Sequence, residues 1–402
     1  MRFIHTADLH IDQPFSGIVS DHVEVKELLK NSNQQVLTRI VDRCIAEQVD
    51  FLLVVGDTFH QNQPTIHTQK FVMSQFERLA QEDIPVILSF GNHDYYTENR
   101  YWFEWPENVI LFKREEVQTK TIALKNGDTV AISGFSYEHQ WVNRSMVPDY
   151  PKRSVETTYH IGFYHGDDSE NYAPFSVSEL PLSYEYWALG HIHKAEVISE
   201  RPFAVYPGTP QGHTKKENQT KGVALIEITR GGRDIQWLDV ATIQWQKQAV
   251  SLLEDLSRQA LLQALETEIL GIETDKHLSV VSIELDVSAE NGRELLKEKE
   301  EILSYLQEMV YQKSQHKIWL KELILKKTES DKLIMGFETT LIDDLGRLYQ
   351  APIQFEKVVK GLLQQPGIAS NLTWSEEDIV ELVSESSQLI KDKMIFKNEA
   401  EQ

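Results

Sequence analysis

The chain has 402 residues, enough for two or three domains, and its 41% hydrophobic and 25% charged residues are typical of a soluble globular protein. No apolar run is long enough to cross a bilayer, no signal peptide is evident before the first strand, and the single cysteine, Cys44, suits a reducing cytoplasm. The formal charge of −22 argues against binding nucleic acid by net charge alone, although bound divalent ions and a local basic strip would still recruit phosphate groups.

The N-terminal half alternates between strands and helices. Buried strands are predicted at residues 2–5, 50–57 and 85–91, and a helix at 65–82. Between the first two strands runs an apolar stripe at helical spacing: Val36, Leu37, Ile40, Val41, Cys44 and Ile45. From about Val109 strands dominate, with an Asn-Gly hairpin in 121–132 and strands at 159–164, 186–189, 203–206 and 223–228. This order predicts an α/β (α+β) fold of two packed sheets flanked by helices.

The C-terminal half has a different pattern. A break is predicted near Arg230-Gly-Gly-Arg233, and residues 243–328 then follow the order strand, helix, strand, helix, strand. The stretch from 337 to 402 is predicted to be helical and acidic, with breaks at Pro352 and Pro366. We therefore expect a first domain over 1–240, a small α+β domain over 243–328 and a helical region over 337–402.

Side chains with metal-binding chemistry follow five successive predicted strand ends. Loops beyond the carboxyl ends of strands form the ligand crevice in open α/β sheets, so these side chains are expected to converge. Each motif alone is an ordinary turn or core sequence, and only their joint pattern predicts a site. The motifs are Asp8-Leu-His10, Gly56-Asp57 with His60, Gly91-Asn-His-Asp94, His165 and Gly190-His-Ile-His193.

Two divalent ions about 4 Å apart need one shared carboxylate and about three further ligands each. Asp57 is the expected bridge. Asp8, His10 and His193 would complete the shell of one ion, and Asn92, His165 and His191 that of the other. Oxygen and nitrogen donors without thiolate fit Mn²⁺, Fe²⁺ or Zn²⁺ better than Ca²⁺.

Four polar residues in or near these motifs are assigned other roles. His93 is left outside the ligand set and is expected to donate a proton to the leaving oxygen of a phosphate ester. His60 would orient His93 or contact the phosphate. Asp94 is expected to cap a turn, and His5, which precedes the motif on the first strand, is expected to be a packed strand residue.

The five motifs together resemble the calcineurin-like metallophosphoesterase superfamily. Within it, residues 3–10 and Gly56-Asp-Thr-Phe-His60 resemble the SbcD-like DNA repair exonuclease family, and the opening through residue 17 is most similar to its YhaO-type bacterial subgroup. The resemblance covers residues 1 to about 240. It implies a Mn²⁺-preferring DNA nuclease that hydrolyses phosphodiester bonds with a metal-bridging hydroxide. One position departs from part of the family: the bacterial SbcD branch often has Asp where this chain has His60, as the archaeal and eukaryotic enzymes do. Superfamily phosphatases also tend to have Asp there, so His60 favours a nuclease.

The same resemblance extends to the rest of the chain. Residues 243–328 would be a DNA-capping domain, and 337–402 would dock on an SbcC-like ATPase partner, with a homodimer expected. The candidate phosphate contacts are Lys215, Lys216, Lys317 and Lys321, although lysines alternating along 316–327 equally fit a guarded edge strand. The stripe in the tail fits docking or packing on its own chain: Ile379, Leu382, Val383, Leu389 and Ile390.

Two other functions fit the sequence. One is a phosphatase or cyclic-nucleotide phosphodiesterase with the same metal centre. The other is a DNA-end-binding scaffold with a vestigial metal site, which the intact ligand set argues against.

Overall fold

The computed structural model describes residues 1–18, 22–61, 63–326, 337–363, 379–380, 382–384, 386–387 and 390. The chain divides into two compact units. One comprises Met1–Gln248, Gln263–Ile283 and Leu303–Glu322, and the other comprises Ala249–Leu262, Glu284–Ile302 and Leu323–Gln402. The domain boundaries expected from the sequence stay predictions.

The first sheet has six strands in the order β12-β11-β1-β2-β3-β4. Strands β1 to β4 are parallel, and β11 and β12 form an antiparallel hairpin beside β1. Parallel neighbouring strands have their carboxyl ends at the same edge of the sheet. The predicted site residues lie in the loops just beyond these strand ends. The strands are β1 (Arg2–Thr6), β2 (Phe51–Val55), β3 (Val86–Ser89), β4 (Val109–Leu111), β11 (Val223–Thr229) and β12 (Gly232–Leu238).

The second sheet also has six strands, in the order β5-β6-β7-β8-β10-β9. Its central strands β6, β7, β8 and β10 are parallel, and both edge strands are antiparallel to their neighbours. The predicted Asn-Gly hairpin is confirmed as the β5–β6 connection, with Gly127 at φ +86°. The strands are β5 (Gln118–Ala123), β6 (Thr129–Gly134), β7 (Tyr159–His165), β8 (Tyr186–Gly190), β9 (Glu196–Glu200) and β10 (Phe203–Tyr206).

Alternation along the strands divides the core into layers. In β2, Leu52 and Val54 face the helices α1 (Val23–Ala46) and α2 (Ile66–Gln81), whereas Phe51, Leu53 and Val55 face the second sheet. The predicted stripe of α1 is buried in the first of these layers, apart from the partly buried Ile45. The face of the second sheet that points away from the first sheet is packed with aromatic residues from its strands and loops. The predicted two-sheet α/β sandwich flanked by helices is therefore confirmed.

The predicted alternation beyond residue 243 is largely confirmed. A three-stranded sheet has the order β13-β14-β15, and its strands are β13 (Ile243–Leu252), β14 (Leu278–Val287) and β15 (Ile318–Leu325). Helix α3 (Arg258–Leu270) follows β13. The charged helix predicted from Ala289 consists of two helices, α4 (Ala289–Lys297) and α5 (Lys299–Lys313).

Two helices of the tail are described. Helix α6 (Phe337–Tyr349) ends before α7 (Pro352–Leu363), so the break at Pro352 is confirmed, while Pro366 lies outside the described residues. Ile379 and Val383 pack against Phe355 of the same unit, whereas Leu382 and Ile390 are exposed. Leu389 lies outside the described residues. No helix in the described part of the chain is long and apolar enough to cross a bilayer.

Three strands were not predicted, namely β4, β9 and β12. The break expected near Arg230-Gly-Gly-Arg233 is a turn within the first sheet, because these residues connect β11 and β12 as a hairpin. The turn signal was correct, but the largely exposed strand after it lacks the apolar face that marks a buried strand.

Candidate metal centre

The loops after β1, β2 and β8 are joined by main-chain contacts at the carboxyl edge of the sheets. The N–H groups of Asp8 and His10 donate to the carbonyl oxygens of Gly56 and Asp57, at 3.3 and 3.0 Å. The Asp8 carboxylate in turn accepts the N–H of His191 at 3.0 Å. These bonds place Asp8 and His10 beside Asp57, the predicted bridge, and place Asp8 beside His191.

Asp8, His10 and His193 form one compact donor group, in which the candidate ligand atoms all lie within 4.8 Å of one another. His10 Nε2 and His193 Nε2 are 3.2 Å apart. Donor atoms at right angles and about 2.1 Å from an ion are about 3 Å apart, so this spacing fits a coordination shell. The three side chains expected to share one ion are thus brought together.

Asp57 lies between this group and the next. Its Oδ2 is 3.8 Å from His10 Nε2 and 3.4 Å from His165 Nε2. Asp8, Asp57 and His165 form a second group with ligand atoms within 4.8 Å. A carboxylate between two donor groups has the position that a bridging ligand requires.

Asn92 and His191 complete the second predicted shell. Asn92 Oδ1 is 3.1 Å from both His165 Nε2 and His191 Nδ1. All seven predicted ligands therefore converge, and every donor is a carboxylate, amide or imidazole. This donor set fits divalent transition metals.

The electrostatics favour the charged forms of Asp57 and His165 despite complete burial, but not those of Asp8 and His10. Burial disfavours a charge on Asp57, but His165 and His93 hold its pKa well below the usual range. The Asp57 charge overcomes burial at His165 and raises the pKa of that imidazole to about 9. Desolvation raises the pKa of Asp8 and lowers that of His10. A divalent ion bound here would displace the proton that the Asp57 charge favours on His165, and its own positive charge would then balance the carboxylates.

The backbone of the site is strained at four of the candidate ligands. Left-handed φ angles occur at Asp8 (+52°), His10 (+41°), Asp57 (+51°) and His191 (+98°). Non-glycine residues adopt this region rarely, and such strain clusters at functional sites. The loops thus hold these four side chains in orientations that a relaxed turn would not give.

Close packing explains a glycine in the third motif. A Cβ atom at Gly91 would lie 2.3 Å from Asp57 Oδ1 and 2.6 Å from His165 Nε2. Only glycine lets the loop after β3 approach the Asp57 carboxylate so closely.

His93 and His60 lie beside the candidate ligands. The N–H of His93 donates to Asp57 Oδ1 at 3.0 Å, and its ring stacks on that of His60 at 4.8 Å. The N–H of His60 donates to Asp12 Oδ1 at 2.6 Å, which fixes its loop. His60 thus contacts His93, as an orienting residue would. His10, His60 and His93 also form a third group with nitrogen atoms within 4.8 Å, so His93 as a ligand is the alternative.

Asp94 caps the turns around the site, as expected. Its Oδ1 accepts the N–H groups of Gly91 (2.7 Å) and Asp57 (3.2 Å), and its Oδ2 accepts those of Thr58 (2.8 Å) and Phe59 (3.3 Å). Burial and the nearby Asp57 charge raise the pKa of Asp94 to about 7, whereas the four donors favour the ionised form. His5 is likewise a packed strand residue, fully buried against the Tyr186 hydroxyl at 2.9 Å.

Several residues that contact the candidate ligands were not predicted from the sequence. Glu217 contacts His193, Asp167 lies near His191, and Asn33 on α1 donates to the carbonyl oxygens of His10 and neighbouring residues. These residues lie in α1 or in polar loops far along the chain from their partners. No local pattern marks them, because their role depends on tertiary contacts.

The four candidate lysines occupy different environments. Lys216 and Lys317 are exposed, and Lys215 is partly buried beside Glu322, at 3.8 Å. Lys321 does not present a free phosphate-facing amine. Its side chain is 10% exposed, and Nζ lies over the Trp245 ring, 5.7 Å from the centroid.

Two sheets with carboxylate, amide and imidazole donors gathered at their strand ends define a phosphoesterase that works with metal ions. The chain belongs to the calcineurin-like phosphoesterase family, whose family model matches residues 1–195. This family uses a dinuclear metal site.

Three relatives confirm the resemblance carried by the motifs. The chain is 35% identical over 273 residues to "Uncharacterized metallophosphoesterase YhaO" of Bacillus subtilis, covering 66% of this chain and 67% of that protein. It is 23% identical to "DNA double-strand break repair protein Mre11" of Methanopyrus kandleri, over 62% of this chain and 58% of that protein. It is 24% identical to the D component of the SbcCD nuclease of Staphylococcus epidermidis, over 57% of this chain and 66% of that protein.

Proposed function

We propose that the chain is a DNA exonuclease that uses two divalent ions, with Mn²⁺ preferred. The observation that carries the proposal is the position of His93, whose N–H is bonded to Asp57 and whose ring stacks on His60 beside seven convergent donors. Relatives named as a DNA break repair protein and as a nuclease component support DNA as the substrate.

Each group of residues has a distinct task in this proposal. Asp8, His10, His193 and the shared Asp57 would hold one ion, and Asn92, His165 and His191 would hold the other. The ions would supply an activated water molecule and charge stabilisation for phosphoryl displacement. His93 would donate a proton to the leaving oxygen, and His60 would keep the His93 ring in place by stacking.

DNA would be bound partly by lysines. Lys215 and Lys216 precede Glu217, which contacts the candidate ligand His193, so their loop borders the metal centre. We retain these two and the exposed Lys317 as proposed phosphate contacts. Lys321 is left out, because its amine lies against Trp245.

The remaining partners are proposed by resemblance to the same relatives. An SbcC-like ATPase would dock on the C-terminal region, where Leu341, Leu345 and Leu348 of α6 are exposed. A homodimer of the chain is proposed on the same grounds.

A substrate panel tests the proposal. Metal-free protein would be supplied with Mn²⁺ and offered end-labelled linear duplex DNA, single-stranded DNA, a phosphate monoester and a cyclic nucleotide. Release of nucleotides from DNA ends is expected. Turnover of the small esters without DNA cleavage would indicate the phosphatase or cyclic-nucleotide phosphodiesterase instead. DNA binding without any hydrolysis would indicate a scaffold.

A further inference from the structure

His193 makes one contact that coordination would not use. Its Nε2 is turned towards His10 Nε2 and the candidate ligand atoms, so its Nδ1 points away from them. That Nδ1 lies 2.5 Å from Oε1 of Glu217, a side chain that is only 13% exposed. A largely buried carboxylate thus meets the outer face of a candidate ligand ring.

Glu217 is held in one orientation by its own turn. Its Oε2 accepts the N–H groups of His213 at 2.6 Å and Thr214 at 3.1 Å, and its own N–H donates to the Thr214 carbonyl at 3.1 Å. Gly212 permits this turn, since a Cβ there would lie 2.4 Å from the Glu217 carbonyl oxygen. The carboxylate is therefore oriented without help from an ion.

The other candidate ligand histidines have weaker outer contacts. His165 Nδ1 lies 3.0 Å from the Val55 carbonyl, and His191 Nε2 is 3.5 Å from Asp167 Oδ2, which is longer than an ordinary hydrogen bond. The buried Nδ1 of His10 has no hydrogen-bond partner. Among these four rings, all in the described part of the chain, His193 alone has a short contact to a carboxylate.

We propose that Glu217 is a positioning residue that fixes the His193 tautomer with its proton on Nδ1. An imidazole that binds metal through Nε2 needs this tautomer, and a carboxylate at Nδ1 orients the ring and makes Nε2 more basic. Glu217 would thereby set the affinity of the Asp8–His10–His193 site for a divalent ion. The inference rests on the ligand assignment of the proposed function and is independent of the substrate.

The test is a titration of metal-free protein with Mn²⁺, following free Mn²⁺ by its electron paramagnetic resonance signal to obtain both dissociation constants. Glu217→Gln keeps the side-chain shape but directs an NH₂ donor at either His193 Nδ1 or the two backbone N–H groups. One dissociation constant should rise by about 10- to 100-fold, and the other should change little. The matched control Glu196→Gln, which removes an exposed partner of Lys194, should leave both constants near wild type.

A double-mutant cycle separates positioning from a general structural role. In a His193→Ala background, Glu217→Gln should weaken Mn²⁺ binding no further, because the ring through which Glu217 acts is absent. Wild-type affinity in Glu217→Gln, or an undiminished loss in the His193→Ala background, would overturn the inference. The cycle decides even if the variant lowers the melting temperature. A chain that binds two Mn²⁺ ions in this way but cuts no DNA would refute the proposed function alone.

Discussion

Replacing Asp94 with Asn tests how the site loops are held together. The Asp94 carboxylate accepts four backbone N–H groups from the loops after β2 and β3, two on each oxygen. Asparagine has the same shape but only one acceptor oxygen. Two of the four donors would therefore lose their acceptor and face an NH₂ group instead.

The expected loss of stability follows from that count. A buried donor without a partner costs about 1–3 kcal/mol, so two such groups should lower the free energy of unfolding by about 2–6 kcal/mol. That count applies to the ionised carboxylate, which predominates above pH 7 because burial and the Asp57 charge raise the pKa of Asp94 to about 7. By linkage, this raised pKa makes the wild type lose stability as the pH rises towards 7, whereas asparagine does not titrate, so the difference between the two proteins should be larger at pH 5 than at pH 8.5.

Equilibrium urea unfolding at about pH 8.5 measures this effect. The control Asp83→Asn changes an exposed aspartate after α2 and should alter stability by less than about 0.5 kcal/mol. An Asp94→Asn variant as stable as that control would refute the reasoning that this carboxylate joins the two loops.

Three further predictions concern single residues. His93→Leu should abolish DNA cleavage while the protein still binds two ions, with the exposed His67→Leu as control; loss of an ion would instead make His93 a ligand. Gly91→Ala should lower Mn²⁺ affinity at least about tenfold, because its Cβ would displace Asp57 or His165, and unchanged binding would contradict that contact. Burial lowers the pKa of His5 to about 3, so below about pH 6.5 the unfolded chain gains a proton that the folded chain does not. Wild type should therefore lose about 2 kcal/mol more stability between pH 7 and pH 5 than His5→Gln, and equal losses would show that His5 does not titrate in this way.

Much of the fold was predictable because local patterns matched tertiary burial. The α1 stripe has helical spacing, and β2 is a continuous apolar run because it is covered on both faces. Strands β9 and β12 were missed because their local patterns do not mark a buried face. They are edge strands with exposed or half-buried residues, so no apolar face distinguishes them from loops.

The convergence of the seven candidate ligands was predictable because each ends or follows a recognisable strand. Glu217 was not, although it meets His193 as closely as any ligand meets another. It lies 24 residues beyond His193 in a charged loop, where a carboxylate is ordinarily solvated. The environment of Lys321 was likewise not predictable from local sequence. An alternating lysine pattern fits an exposed strand face, but the Trp245 ring covers that amine.

The sequence by itself determined most of the order of strands and helices and the chemical nature of the candidate donors, because periodicity and turn residues are local properties. Tertiary structure decided that His10 and His165 both lie near Asp57 Oδ2. It also decided that His193 directs Nε2 towards the candidate ligand atoms and Nδ1 towards the Glu217 carboxylate. Those features depend on contacts between loops up to about 180 residues apart, such as His10 with His193. Long-range contacts of this kind leave no periodic signal in the chain that makes them.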